Sequence, residues 1–180
     1  MGYAVSATAM AGVLNGCNVD TTTPEKIWKP QFFSAPQMKN LTEAVERILP
    51  KTATPGAKDM MVHRFIDEMM HSIYKPEESK AFAAGLDKME ANAQAAHQKS
   101  FADLEDAQKD ALLTTLMNEG KTESDNNPGA KIPPFFNSLK ELTFLGFFTS
   151  EKIGEEVFAY DPVPGRYDGC IPLEGNAWAY

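Results

Sequence analysis

Only two cysteines, Cys17 and Cys170, occur in the 180 residues. Their surroundings are unlike, so the sequence does not read as a disulfide framework. Positive charge is short too: 17 Lys and Arg stand against 25 Asp and Glu, leaving a net charge of −8. Nucleic-acid phosphates need a basic patch, so this balance argues against a nucleic-acid partner. No Gly-x-Gly-x-x-Gly follows a strand-like run, which excludes a dinucleotide site of the usual kind. No Cys-x-x-Cys-His is present, so haem is not attached covalently here. Long apolar runs are missing: the uncharged stretch 3–14 is far too short for a membrane span. Alternating residues that demand a strand and internal repeats are also absent.

What remains is helical punctuation. Leu41, Val45, Ile48 and Leu49 recur at helical spacing and stop at Pro50. Thr54-Pro55-Gly56 is a turn. Val62, Phe65, Ile66, Met69, Met70 and Ile73 form the clearest amphipathic pattern, all expected inward. Pro76 opens another helix with Phe82, Leu86 and Met89 inside. Ser100 and Asp103 resemble a helix start, followed by Leu104, Ala111, Leu112, Leu116 and Met117 up to Gly120. Residues 120–130 read as an exposed loop. Pro133 and Pro134 begin a further helix, with Phe135, Phe136, Leu139, Leu142 and Thr143 on one face. Its end, Phe144 to Phe148, is apolar nearly all round and is expected to be buried on every side. Thr149 or Ser150 starts one more short helix. The expectation is an all-α fold: one domain of five to six helices, closed by an irregular Pro/Gly-rich C-terminal strap.

The first residues divide differently. The apolar stretch 3–14 matches the hydrophobic part of a secretory signal. Leu14-Asn15-Gly16-Cys17 resembles a bacterial lipobox, in which Cys17 is acylated and becomes the first mature residue. Asn15 is unusual there, and residues 1–17 hold no Lys or Arg; an ordinary apolar helix is the alternative. The expected organisation is a signal and lipobox segment at 1–17, a linker at 18–37, and a helical domain with its strap at 38–180. Trp28, Phe32 and Phe33 mark the far end of the linker as docked.

Candidate chemistry is sparse. His63, Asp67 and His71 are four apart on one helix, a spacing that can hold a metal. The apolar face centres on Ile66, Met69 and Ile73, so Asp67 and His71 are expected to turn toward solvent. His97 stands alone at a helix end. Cys170 as a thiolate would need a base or cationic site that sequence does not show, and reads better as a small buried residue.

The strap is the most informative stretch. Tyr160 to Pro172 holds three prolines and two glycines, with Arg166 between Asp161 and Asp168, and Tyr167 beside them. Pro and Gly at this density forbid helix and central strand. Arg166 reads either as a local ion pair with Asp161 and Asp168 or as an anchor to a partner, Tyr and Arg being typical interface anchors.

Three blocks carry a family resemblance. They are Leu41-Thr42 through Ile48-Leu49-Pro50 with Thr54-Pro55-Gly56-Ala57, Phe135-Phe136 through Leu142-Thr143 with Leu145-Gly146-Phe147-Phe148-Thr149-Ser150-Glu151, and Tyr160 to Leu173. On these the chain resembles subunit 3, the small subunit, of gluconate 2-dehydrogenase and related membrane-bound FAD-dependent sugar dehydrogenases. Ala53 departs from the family, which often has an aspartate there. The resemblance implies a non-catalytic accessory subunit without catalytic, cofactor-binding or metal residues of its own. FAD would sit in a large glucose–methanol–choline type subunit, and haem c in a possible cytochrome partner. It further implies a role in maturation, export or stability of the flavoprotein; together with the lipobox reading of Cys17, the expectation is a periplasmic complex anchored to the membrane through lipid on that residue. The expected partner face comprises Phe147, Phe148, Tyr160, Asp161, Arg166, Tyr167 and Asp168. The rival reading is a stand-alone periplasmic lipoprotein that binds a ligand or acts as a scaffold. A third is a subunit lending residues to the partner's sugar pocket.

Overall fold

Ser34 opens the first helix. Its backbone is extended, and Gln37 Oε1 accepts its N–H at 3.1 Å. That reciprocal cap begins α1, Ala35–Ile48. The computed structural model describes residues 28–160, Gly165 and residues 178–179. Along α1 the buried residues Met38, Leu41, Ala44 and Val45 share one side, and Pro50 forbids continuation.

α2, Val62–Glu68, passes directly into a π-helical turn at Met69–Ile73. Val62, Ile66 and Met70 are buried, as their spacing requires. Ile73, expected inward, is instead 68% exposed. The reason is the wider turn: Tyr74 N–H bonds back to Met69 O at 3.0 Å. One extra residue per turn rotates everything beyond Met70 away from the α-helical stripe.

α3, Pro76–His97, buries Phe82, Leu86, Met89 and Ala93. Pro76 suits its first turn, and Glu78 Oε2 accepts the Lys75 N–H at 3.0 Å. A single helix from Ser100 to Gly120 does not form. Phe101–Asp103 make one 3₁₀ turn, Leu104 is extended, and α4 spans Asp106–Asn126. Ser100 directs its hydroxyl to Asn40 and Glu90 rather than to a helix end. At its other end α4 runs through Gly120 into residues expected as loop. A Cβ at Gly120 would sit 3.3 Å from Pro134, so the missing side chain serves a close approach rather than a stop.

α5, Phe135–Phe148, touches all four other helices and buries Phe136, Leu139, Leu142, Thr143 and Phe147. Each fully buried side chain of this size contributes roughly 1.5–3 kcal/mol of transfer free energy. A second π turn, Ile153–Val157, follows with Ile153 fully buried. Among the described residues the extended pairing is a two-residue parallel bridge between β1, Ala159–Tyr160, and β2, Trp178–Ala179. The fold is all-α, as its helical periodicity required.

Candidate functional site

The last turn of α5 is not buried on every side. Successive helical residues are rotated by about 100°, so four apolar residues in a row cannot share one face. Phe147 points inward and is 8% exposed. Next to it, a Cβ on Gly146 would lie 2.6 Å from the Phe65 ring, so α2 packs here directly on α5 backbone. Leu145 and Phe148 fall on the other side and are 45% and 48% exposed. Phe148 has three aromatic neighbours among the described residues: Phe147 edge-to-face at 5.3 Å, Phe144 tilted at 6.1 Å and Phe158 stacked at 5.8 Å. Lys140 Nζ stands 6.0 Å from the Phe144 ring centre. The result is an apolar face with Lys140 beside it, whose Phe158 runs directly into β1 and Tyr160. Exposed apolar clusters of this kind mark contact surfaces.

Of the other expected interface residues, Tyr160 lies in β1. Asp161, Arg166, Tyr167 and Asp168 lie outside the described residues, as do the expected lipidation site Cys17 and Cys170.

The His63–Asp67–His71 helix face differs from its expectation. Asp67 does not turn to solvent; it is 1% exposed. Its Oδ2 accepts the backbone N–H of Gln31 at 2.7 Å. Its Oδ1 accepts those of Phe32 at 3.2 Å and Phe33 at 3.0 Å. Three main-chain donors satisfy a carboxylate that burial would otherwise penalise. The segment they fix lays Phe33 into the core against Phe32 and Phe82. One turn back, Trp28 meets the His63 ring edge-on at 6.2 Å and the Arg64 guanidinium at 5.1 Å. Burial, then the charges of Arg64 and Lys58, lowers the His63 pKa, which favours neutral imidazole. His71 is exposed, as expected. The three side chains therefore do separate things: His63 packs on Trp28, Asp67 holds backbone and His71 faces solvent. Among the described residues no group of three His, Cys, Asp or Glu is placed to hold a metal.

The remaining charged clusters knit helices together. Glu90 Oε2 on α3 receives Asn40 Nδ2 at 2.9 Å, Ser100 Oγ at 3.0 Å and the Phe101 N–H at 2.9 Å. Glu43 binds Lys58 and the buried Lys109, both at 2.8 Å. Arg47 grips Asp110 with two nitrogens, at 2.7 and 2.6 Å, and reaches Asp106 with a third. This fork ties α1 to α4. His97 ends α3 and meets Gln108 at 3.3 Å. None of these sets pairs a nucleophile with a base; their partners are other structural groups. No helix among the described residues is long and apolar enough to cross a membrane.

Among the described residues, the feature the arrangement offers is an exposed apolar surface at the end of α5, carried by Leu145 and Phe148. In comparisons with known proteins, a family model described as gluconate 2-dehydrogenase subunit 3 matches residues 35–165. No curated protein and no solved structure matches.

Proposed function

Because the chain belongs to the gluconate 2-dehydrogenase subunit 3 family, we propose that it is the non-catalytic small subunit of a periplasmic, membrane-associated FAD-dependent dehydrogenase of sugars or sugar acids. It supports the maturation, export or stability of the flavoprotein. The large subunit, of the glucose–methanol–choline type, holds FAD and oxidises the substrate. A c-type cytochrome or another carrier takes the electrons.

The observation that carries this reading is the uncovered face of Leu145 and Phe148 on a family member named as a subunit. A partner covering both side chains gains transfer free energy that the isolated chain forgoes. In this reading Tyr160, Asp161, Arg166, Tyr167 and Asp168 anchor the flavoprotein, and an acyl group on Cys17 holds the complex at the membrane. One acyl chain binds only marginally, whereas two anchor stably.

Co-expression with the candidate flavoprotein and purification through a tag on this chain is the test. The expected product is a yellow complex with a flavin absorption spectrum and sugar-dependent dye reduction. Arg166→Ala and Tyr167→Ala weaken its recovery, while the variants keep their helical circular dichroism. Cys17→Ser, expressed from the native start, leaves the chain released or unprocessed. A wild-type chain that recovers no flavoprotein overturns the reading.

A further inference from the structure

A cavity of about 260 Å³ opens at the far end of α5 from the apolar face. Fourteen residues of helix, roughly 20 Å, separate the two ends. Its floor is the edge-on ring pair Phe82 and Phe135, 5.1 Å apart, with Met70 and Pro133 beside them. Its mouth carries Tyr74, Glu78 and Glu123. The π turn creates this geometry. The wider turn keeps Met70 inside and brings the chain round to Tyr74 at the cavity wall, and Ser79 Oγ secures the Met70 carbonyl at 2.8 Å. π turns recur at functional sites for this reason: they re-aim side chains without breaking the helix.

The lining holds no lysine, arginine or histidine. Neither Glu78 nor Glu123 forms an ion pair with a described residue. Glu78 directs Oε2 to the Lys75 N–H and leaves its other oxygen uncommitted. The negative potential reaches Tyr74: burial first, then the charges of Glu141 and Glu78, raises the pKa of its hydroxyl. An anion is repelled here. The volume falls just below the roughly 300–1,000 Å³ of pockets for drug-sized ligands and suits a single long side chain.

We propose that this cavity receives an arginine side chain of a partner protein. Its aliphatic stem lies on the Phe82 and Phe135 rings, and its charged head sits between Glu78 and Glu123. A long basic side chain lays its apolar stem along ring surface while its charged head stays at the mouth beside the carboxylates. The inference stands whether or not the partner is a flavoprotein.

The test is an NMR titration of the full chain, following the signals of Tyr74, Phe135 and Ile132. The probes are n-butylguanidinium, N-acetyl-arginine amide, n-butanol, glucose and spermidine at matched ionic strength. The two guanidinium probes are expected to shift these signals with similar affinity, while n-butanol and glucose leave them unmoved. The Glu78→Gln, Glu123→Gln double variant is expected to lose affinity on the order of tenfold. Glu78→Gln keeps an oxygen for the Lys75 N–H, and unchanged circular dichroism confirms that the fold survives. Silence to both guanidinium probes, an equal response to n-butanol or glucose, or unchanged affinity in the double variant overturns the proposal. A marked preference for spermidine over N-acetyl-arginine amide overturns the protein source and assigns the site to a free polyamine.

Discussion

The ring of Phe135 rests on Gly85: a Cβ built on that glycine would lie 2.2 Å from the Phe135 Cγ and 2.6 Å from its Cβ. This contact brings α3 against the first turn of α5 and seats the ring that floors the acidic-mouthed cavity. Two effects compete at Gly85. In a helix interior, alanine is favoured over glycine by about 1 kcal/mol. Overpacking costs roughly 1–3 kcal/mol.

Gly85→Ala is therefore expected to destabilise the chain, because the obstructing atoms include the Phe135 Cβ and not merely a mobile tip. A lower urea midpoint checks this. Gly154→Ala, where nothing lies within 4 Å, is the control; its midpoint is expected to stay put or rise. A Gly85→Ala midpoint at or above wild type would show that α3 and α5 separate freely.

Asp67→Ala is expected to cost about 3 kcal/mol, since three main-chain N–H groups lose a charged acceptor at once. Asp67→Asn keeps one oxygen and is expected to cost less. Trp28 reports the local event, as its contacts with His63 and Arg64 depend on the same segment. Its emission should shift to the red in Asp67→Ala before global unfolding. Blue emission and wild-type stability together would refute the clamp.

Acid should weaken the fold through Glu43 and Glu90. Burial pushes both pKa values up, but Lys109 and Lys58 around Glu43 outweigh it, as do Gln94, the Phe101 N–H, Asn40 and Ser100 around Glu90. Both folded values therefore lie below the usual 4.5. A depressed carboxylate contributes stability above its unfolded pKa and loses it as pH falls through the folded value. The urea midpoint should drop below pH 4.5, and a Glu43→Gln, Glu90→Gln variant should show a shallower drop. Parallel pH profiles for variant and wild type would contradict this.

Leu145→Glu with Phe148→Glu should abolish recovery of the proposed flavoprotein while costing the chain itself only about 1–2 kcal/mol, since both positions are roughly half exposed and Phe148 gives up its contacts with Phe144, Phe147 and Phe158. The measurements are flavin absorbance in the purified fraction and the urea midpoint of the chain alone. Full flavin recovery would place the partner elsewhere.

Helix positions were legible wherever periodicity and proline agreed. Phe82, Leu86 and Met89 after Pro76 are buried as their spacing requires, and Pro50 closes α1. Legibility failed where a side chain bonds to a distant segment. The Ser100 hydroxyl and the Asn40 amide meet across sixty positions, and nothing local reveals that Ser100 starts no long helix. Asp67 looked solvated because helical angle alone gives no sign of three donors arriving from residues 31–33. A clue was present: Gln31, Phe32 and Phe33 follow Pro30, where a chain without helix or strand must find acceptors for its donors. The π turn escaped for another reason, since its extra residue leaves no mark in hydrophobic spacing until the register has already slipped at Ile73. At the apolar end of α5, composition could not divide covered from uncovered residues; packing of Phe65 on Gly146 did so.

The clamp at Asp67 also has a mechanical meaning. Any pull on the chain upstream of Trp28 must pass through residues 31–33 before it reaches α1. There the load does not peel a row of separate bonds one after another. It converges on the two oxygens of one side chain, itself rooted in α2. The three bonds share one carboxylate, so whatever removes it frees all three main-chain donors together rather than one by one.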